Sequence, residues 1–182
     1  MKTLPRINID AECYEYAHNY IQKNNIANRG RFDGNKQNQF VGMLGQICFY
    51  KHLYNELPIL TNGFDNGYDL MHDGCTIDIK TMQRKGFMRP DYVNNFVALQ
   101  INYECDVLVF LNYVKEFELL GTIEICGWIF KKELQSVANY YKAGSIRQRL
   151  DKTEFSLKED LYEIPQSKLR YWKWLNVKLV KK

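Results

Sequence analysis

The chain has little of what marks several protein classes. Its 182 residues include only four prolines and three histidines, and no stretch approaches the roughly 20 apolar residues of a membrane span. We find no internal repeat, no low-complexity tract, no linker rich in proline or glycine, and no hydrophobic run typical of a signal peptide. These absences predict a single soluble, cytoplasmic domain over residues 1–182, without a membrane partner.

Cysteine pattern, net charge and hydrophobic content each limit the classes of protein to which the chain could belong. The five cysteines are scattered and never form a CxxC pair, which is typical of reduced thiols inside cells and argues against a structural zinc site. The net charge of +4 is compatible with nucleic acid but does not require it. A hydrophobic content of 46% is ample for a packed core and argues against disorder.

The order of apolar patterns predicts the fold class. Helical spacing follows the predicted N-cap Asp10 and recurs in a second segment, and turn and strand signals follow after Pro58. The predicted helices are residues 10–25, 36–57 and 131–141. A predicted hairpin at 68–81 has Asp-Gly at its tip. Further strands are predicted at 94–102, at 105–114, at 121–130 and around Ile164. We therefore predict an α/β or α+β domain, with a central mixed sheet and helices packed around it.

Two glycines lie inside the second predicted helix. Gly42 and Gly45 each cost about 1 kcal/mol relative to alanine in a helix interior, so a packing reason is expected. Three residues apart, they lie side by side on the helix. Both are predicted to permit a close approach by another element.

The hairpin carries an acid–acid–lysine constellation. Along an alternating strand Asp78 and Lys80 share one face, roughly 7 Å apart, and hairpin pairing can bring Asp69 across from them. Two carboxylates form a hard-oxygen site suited to Mg²⁺, and the ammonium of Lys80 could hold the attacking water and stabilise negative charge. The competing interpretation is that Asp78 and Lys80 simply face solvent on an amphipathic strand.

The stretches YDL (68–70) and TIDIKT (76–81), preceded by the helix sequence GMLGQICFYKHL (42–53), resemble the PD-(D/E)xK nuclease superfamily, which has the restriction-endonuclease-like fold. The resemblance covers roughly residues 36–135 and is to small phage and prokaryotic members related to Mrr-type and Holliday-resolvase-like nucleases. It implies that Asp69 and Asp78 bind metal, with Ile79 as a further metal ligand, and that Lys80 is the catalytic lysine. The implied cofactor is Mg²⁺, with Mn²⁺ as a substitute; the implied partner is DNA, in some relatives bound by a homodimer.

One position departs from the family pattern. Gln46 stands where the family's helix often carries a glutamate; its amide can still coordinate a metal or orient water, but it weakens the negative charge of the site. Gln83 is either a further polar ligand or a surface residue. Asp65 competes with Asp69, which we prefer because it joins the strand directly.

Basic residues near the motif suggest where a polynucleotide would lie. Phosphate contacts are the main sequence-independent source of affinity for DNA. A loop after the motif and a segment before the second helix carry the predicted contacts, namely Arg84, Lys85 and Arg89, and Lys36 with Arg29 and Arg31. The C-terminal aromatic residues, including Trp172 and Trp174, are expected to pack on the core rather than stack on bases.

Three functions remain open from the sequence. The first is a Mg²⁺-dependent deoxyribonuclease, an endonuclease in preference to an exonuclease, that hydrolyses phosphodiesters with an activated water. The second is an inactive nuclease-fold protein that binds nucleic acid or a protein partner, which Gln46 favours. The third is an α/β domain with no role in nucleic acid, which would lack a basic surface beside the hairpin.

Overall fold

The structure is a computed structural model that describes residues 3–24, 35–60, 67–116, 119–148 and 152–172. These residues form three α-helices and ten β-strands. No helix within these ranges combines the length and apolar character needed to cross a membrane.

The elements follow one another along the chain in this order: β1 Arg6–Asn8, α1 Ala11–Asn24, α2 Lys36–Tyr54, β2 Leu70–His72, β3 Cys75–Arg84, β4 Val93–Val97, β5 Val107–Val114, β6 Thr122–Phe130, α3 Leu134–Val137, β7 Asn139–Tyr141, β8 Ile146–Gln148, β9 Glu154–Ser156 and β10 Leu161–Pro165. Short 3₁₀ turns cover Ala98–Asn102, Lys131–Glu133 and Gln166–Lys168.

The first two helices confirm their sequence signals. Asp10 precedes α1, and its side chain accepts a hydrogen bond from the main-chain N–H of Cys13 at 2.8 Å, as an N-cap does. Asn35 caps α2 in the same way through the N–H of Asn38. Caps matter here because the first N–H groups of a helix have no partner inside it.

A five-stranded sheet forms the centre of the fold, in the order β1-β6-β5-β3-β2. β3 and β5 run parallel, whereas the other neighbours in this sheet are antiparallel, so the predicted mixed sheet is confirmed. The hairpin of β2 and β3 turns at Asp73 and Gly74, which both have positive φ, as the type I′ turn requires.

The two faces of this sheet are covered differently. On one face, α1 and α2 pack against side chains that include Ile77, Ile79 and Val109. On the other face, Leu108 and Phe110 pack against a smaller sheet of order β4-β10-β7, which contributes Phe96 and Ile164. Because both faces are covered, every residue of β5 is buried, which explains its uninterrupted apolar sequence.

Three secondary-structure predictions need correction. Residues 131–141 form a 3₁₀ turn, the one-turn helix α3 and strand β7, because Asn139–Tyr141 pair with β10. The predicted strand at 94–102 ends at Val97 and continues as a 3₁₀ turn. The helices also do not surround the sheet: α1 and α2 share one face, and mainly strands cover the other.

The two helix glycines have different environments. A Cβ on Gly45 would lie 2.8 Å from the Cβ of Thr81, so the helix touches β3 directly at this point. A Cβ on Gly42 would meet no described residue within 4 Å, so the close approach predicted there is not found in the described part of the chain. Gly45 therefore sets how closely α2 can lie on the strand that carries Asp78 and Lys80.

The substitution Gly45→Ala should destabilise the protein, and Gly42→Ala should not. Overpacking against Thr81 costs about 1–3 kcal/mol, which exceeds the gain of about 1 kcal/mol in helix propensity expected at an unhindered position such as Gly42. Urea unfolding of both variants beside the wild type measures the difference. Equal changes in the free energy of unfolding would contradict the close contact at Gly45.

Candidate functional site

The candidate site lies where the first half of β3 meets the turn that leads into β2. Asp78 and Lys80 lie on β3, on the face covered by the smaller sheet, next to their β5 partners Leu108 and Phe110. Asp69 immediately precedes β2, and its main-chain N–H donates to the carbonyl of Ile77 at 2.8 Å. Strand alternation and hairpin pairing thus bring the three predicted charged residues together.

Asp78 and Lys80 form a recessed ion pair. The Lys80 Nζ lies 2.7 Å from the Asp78 Oδ1, and only 7% of the Asp78 side chain and 21% of the Lys80 side chain are exposed. The Lys80 Nζ also lies 5.7 Å from the centroid of the Phe96 ring on β4. The interpretation that these two residues face solvent is therefore wrong, because the smaller sheet covers their face.

Asp69 contacts the same strand through its side chain. Its Oδ2 accepts a hydrogen bond of 2.6 Å from the main-chain N–H of Ile79. The N–H and C=O of a strand residue point toward the same neighbour, so the carbonyl of Ile79 also faces the side where Asp69 lies. The side chain of Ile79 packs in the core and offers no donor atom, so any metal ligand from this residue is its main-chain oxygen.

Gln46 reaches the site from α2. Its Nε2 lies 3.5 Å from the main-chain oxygen of Asp69. The residue is one position past Gly45, so the close approach of α2 to β3 brings its side chain to the Asp69 turn. Gln46 therefore contacts the Asp69 turn from the helix side of β3, whereas Asp78 and Lys80 lie on the face covered by the smaller sheet.

The environment of Lys80 determines its charge. Burial by itself lowers the pKa of Lys80, but the negative charges of Asp78 and Asp69 and the hydrogen bond to Asp78 raise it more, so the pKa lies above its usual value. Lys80 is therefore an ammonium at neutral pH. It can donate hydrogen bonds and stabilise negative charge, but it cannot accept a proton as a general base.

The oxygen atoms near this pair fit a magnesium ion better than a softer metal. Within the part of the chain that the structure describes, no group of three or more His, Cys, Asp or Glu side chains forms a metal site. Mg²⁺ binds through one or two carboxylates and retains several waters. Asp69 and Asp78, with the main-chain carbonyl of Ile79, would offer oxygen ligands of this kind, whereas Gln46 presents its Nε2 to the main-chain oxygen of Asp69.

Two further residues adjoin the site and were missed by the sequence analysis. Burial and the charge of Asp78 raise the pKa of the Cys105 thiol to about 11, although the charges of Lys131 and Lys80 act in the opposite direction and lower it. Lys131 lies 5.7 Å from the Phe96 ring, as Lys80 does. Only the sheet topology brings Lys131 here, because β6 runs antiparallel to β5 and ends beside Val107.

The basic residues predicted to contact DNA lie at the opposite end of β3. Arg84 is six residues beyond Asp78, about 20 Å along the strand. Its guanidinium donates to the main-chain oxygen of Val93, so it joins β3 to β4 and does not begin the loop. Lys85 and Arg89 are exposed, and Arg89 pairs with Asp91 at 3.5 Å.

Lys36 lies at the same far end. It begins α2 and is exposed, and its neighbour Gln37 donates to the Gln83 Oε1 at 3.2 Å. Gln83 is therefore some distance from the two acids. Arg29, Arg31, Asp65 and Trp174 lie outside the described residues, whereas Trp172 is buried beside Phe49, which confirms its predicted core packing.

Comparison with known proteins gave no match: no protein-family model, no curated protein and no solved structure is similar to this chain. The function must therefore be argued from the residues of the site.

The raised pKa of Lys80 is directly testable. In Asp78→Asn the pKa of Lys80 should fall, because burial still disfavours the ammonium while its nearest negative charge has been removed. An NMR titration of the lysine side-chain resonances would measure this shift. Asp91→Asn, which removes an exposed acid, should leave the Lys80 midpoint unchanged, and an unchanged midpoint in Asp78→Asn would contradict the pairing.

Proposed function

We propose that this chain is a metal-dependent deoxyribonuclease with a PD-(D/E)xK site on a restriction-endonuclease-like frame. The observation that carries the proposal is the recessed Asp78–Lys80 pair, which lies beside the carboxylate of Asp69. A strand that places two acids, a lysine and a main-chain carbonyl in one neighbourhood has the groups needed for metal-assisted hydrolysis of a phosphodiester.

Each residue has a distinct role in this proposal. Asp69, Asp78 and the carbonyl of Ile79 would hold Mg²⁺ or Mn²⁺, and the metal when bound would activate water and offset phosphate charge. Lys80 holds a water near the phosphate and stabilises the negative charge that develops there. Gln46 supports the Asp69 turn through its Nε2, and its neutral amide takes the place of a third acid.

A purely structural role explains the ion pair poorly. Taking a carboxylate and an ammonium out of water is unfavourable, and well-packed apolar residues in their place are often neutral or stabilising. The neighbours of Asp78 and Lys80 on β5 are Leu108 and Phe110, so an apolar pair would suit this face. The retention of two charges here favours a chemical role.

The predicted partners remain part of the proposal. Exposed Lys85, Arg89 and Lys36 lie near the far end of β3, whose last residue is about 20 Å along the strand from Asp78, and they can contact phosphates several nucleotides away from the cleaved bond. Binding of DNA and formation of a homodimer stay predictions. Endonuclease action is favoured over exonuclease action by the family resemblance alone.

The proposal predicts metal-dependent cleavage that needs both charges of the pair. Asp78→Asn and Lys80→Met should each lower the rate of DNA cleavage by about 100-fold or more, because one removes a metal ligand and the other a charge on the transition state. The measurement is cleavage of a panel of linear duplex, nicked plasmid, single-stranded and branched DNA, with Mg²⁺, with Mn²⁺ and with EDTA.

Matched control variants distinguish loss of the active site from loss of folding. Glu154→Gln and Lys142→Met each remove an exposed charge away from the site, an acid and a lysine respectively, and should cut DNA like the wild type. Circular dichroism and thermal unfolding confirm that each variant is folded. Cleavage that survives EDTA, or that persists in both site variants, would refute the proposal.

Gln46 supports a second candidate, a nuclease-fold protein that binds DNA or a protein partner without cutting. Among the described residues, two carboxylates, Asp69 and Asp78, lie at the site, and a third position that could carry a glutamate carries the amide of Gln46. Gln46→Glu should strengthen binding of Mn²⁺, measured by electron paramagnetic resonance, because it adds a negative ligand. If the wild type binds DNA without cleavage and Gln46→Glu gains cleavage, the second candidate is correct for the natural chain.

A further inference from the structure

A cleft of about 690 Å³ opens beside the candidate site. The residues around it include Tyr68, Thr76, Tyr103, Cys105 and Lys132. Thr76 lies two residues before Asp78 on the same face of β3, and Tyr68 directly precedes Asp69. The cleft therefore adjoins the acids and is not a separate surface.

The wall of the cleft is fastened to β3. The main-chain N–H and the hydroxyl of Thr76 both donate to the Asp106 Oδ2, at 2.9 and 3.1 Å. The N–H of Asp106 in turn donates to the main-chain oxygen of Thr76 at 3.0 Å. These hydrogen bonds hold the segment that carries Tyr103 against β3, the strand that carries Asp78.

Tyr103 is the main aromatic surface in this wall. It is 38% exposed, which is high for a large aromatic residue in this fold. Its main-chain oxygen accepts a hydrogen bond from the Lys131 Nζ. Gly67 packs against Tyr103 and has a φ of +89°. A side chain would not fit at this position, because its Cβ would lie 2.9 Å from the Tyr103 Cβ. The main chain and Cβ of Tyr103 are thus held in place while part of the residue is open to solvent.

The charges of the cleft are mixed. Lys131 and Lys132 line the cleft together with Glu104 and Asp106, and the carboxylate of Asp106 is engaged by Thr76. A cleft with few uncompensated cations gains less from phosphate contacts than a basic groove would. Stacking of bases on an aromatic ring does not depend on charge and supplies affinity at such a surface.

The recessed position of the acids limits what can reach them. Asp78 is 5% exposed and lies beneath the smaller sheet. Duplex DNA is stiff, with a persistence length of about 50 nm, and its phosphates stay on the outside of a straight rod. An unpaired strand bends freely, so it can turn one phosphate inward while a neighbouring base meets the cleft wall.

We propose that the cleft holds an unpaired stretch of DNA, with a base stacked on Tyr103, and that single-stranded or frayed DNA is the substrate of the site. The inference rests on the proposed nuclease function and adds the substrate class to it. Tyr103 acts as a binding residue next to the reacting phosphate, and Lys131 positions Tyr103 through its main-chain oxygen.

Binding is tested without cleavage by fluorescence anisotropy. The probes are a fluorescein-labelled 12-nucleotide oligothymidylate and a labelled 12-base-pair duplex, each in EDTA and in Ca²⁺. We expect the single strand to bind the wild type at least 10-fold more tightly than the duplex. Tyr103→Leu, which keeps an apolar side chain but removes the ring, should weaken single-strand binding about 5-fold or more.

Two control variants keep the test specific. Tyr103→Phe keeps the ring and should bind like the wild type. Tyr140→Leu removes a tyrosine that is 45% exposed on β7, outside the cleft, and should also bind like the wild type. Equal binding of single strand and duplex, or unchanged binding by Tyr103→Leu, would overturn the inference.

Cleavage of the same two DNAs with Mg²⁺ separates this inference from the proposed function. If duplex is cut equally by the wild type and Tyr103→Leu, the nuclease proposal stands and the unpaired substrate is refuted. If Tyr103→Leu loses single-strand binding but no protein cuts DNA, the cleft assignment stands as a binding site and the nuclease proposal fails.

Discussion

The ion pair between Asp78 and Lys80 lies under a layer of protein, and most features of the site follow from that burial. Water screens exposed charges, so an exposed pair contributes little and titrates near its usual values. Here the smaller sheet brings Phe96 within 5.7 Å of the lysine, and the two charges depend on each other. The lysine stays an ammonium because the acids more than offset the effect of burial.

The same layer decides where a substrate could enter. The smaller sheet and the 3₁₀ turn after β4 cover the face that carries the pair, so access lies at its margin, in the cleft beside Thr76 and Tyr103. On the opposite face, Gly45 allows α2 to touch Thr81, and Gln46 reaches the Asp69 turn as a result. Packing on both sides of β3 thus shapes one site from three parts of the chain.

The end of β3 near the exposed basic residues and the cleft at Thr76 are separated along the strand by about 26 Å. An extended single strand spans that distance with only a few nucleotides, so both regions can contact one molecule of DNA. Arg84 contributes differently from its expected role, because its guanidinium joins β3 to the main chain of β4. A basic residue after a motif can therefore be a structural tie, and its neighbours Lys85 and Arg89 are the ones that remain exposed.

Local rules were enough to predict the two main helices, the β2–β3 hairpin, the mixed sheet and the meeting of Asp69, Asp78 and Lys80. Capping by Asp10, the Asp-Gly turn and strand alternation act over a few residues, so they can be read without knowing the rest of the fold. Only the tertiary structure decided which face of β3 is covered, that Gly45 and not Gly42 makes a close contact, and that Cys105, Lys131 and Tyr103 adjoin the acids. Those features depend on contacts between residues far apart in the chain, and neither hydrophobic period nor turn chemistry specifies which distant elements will meet.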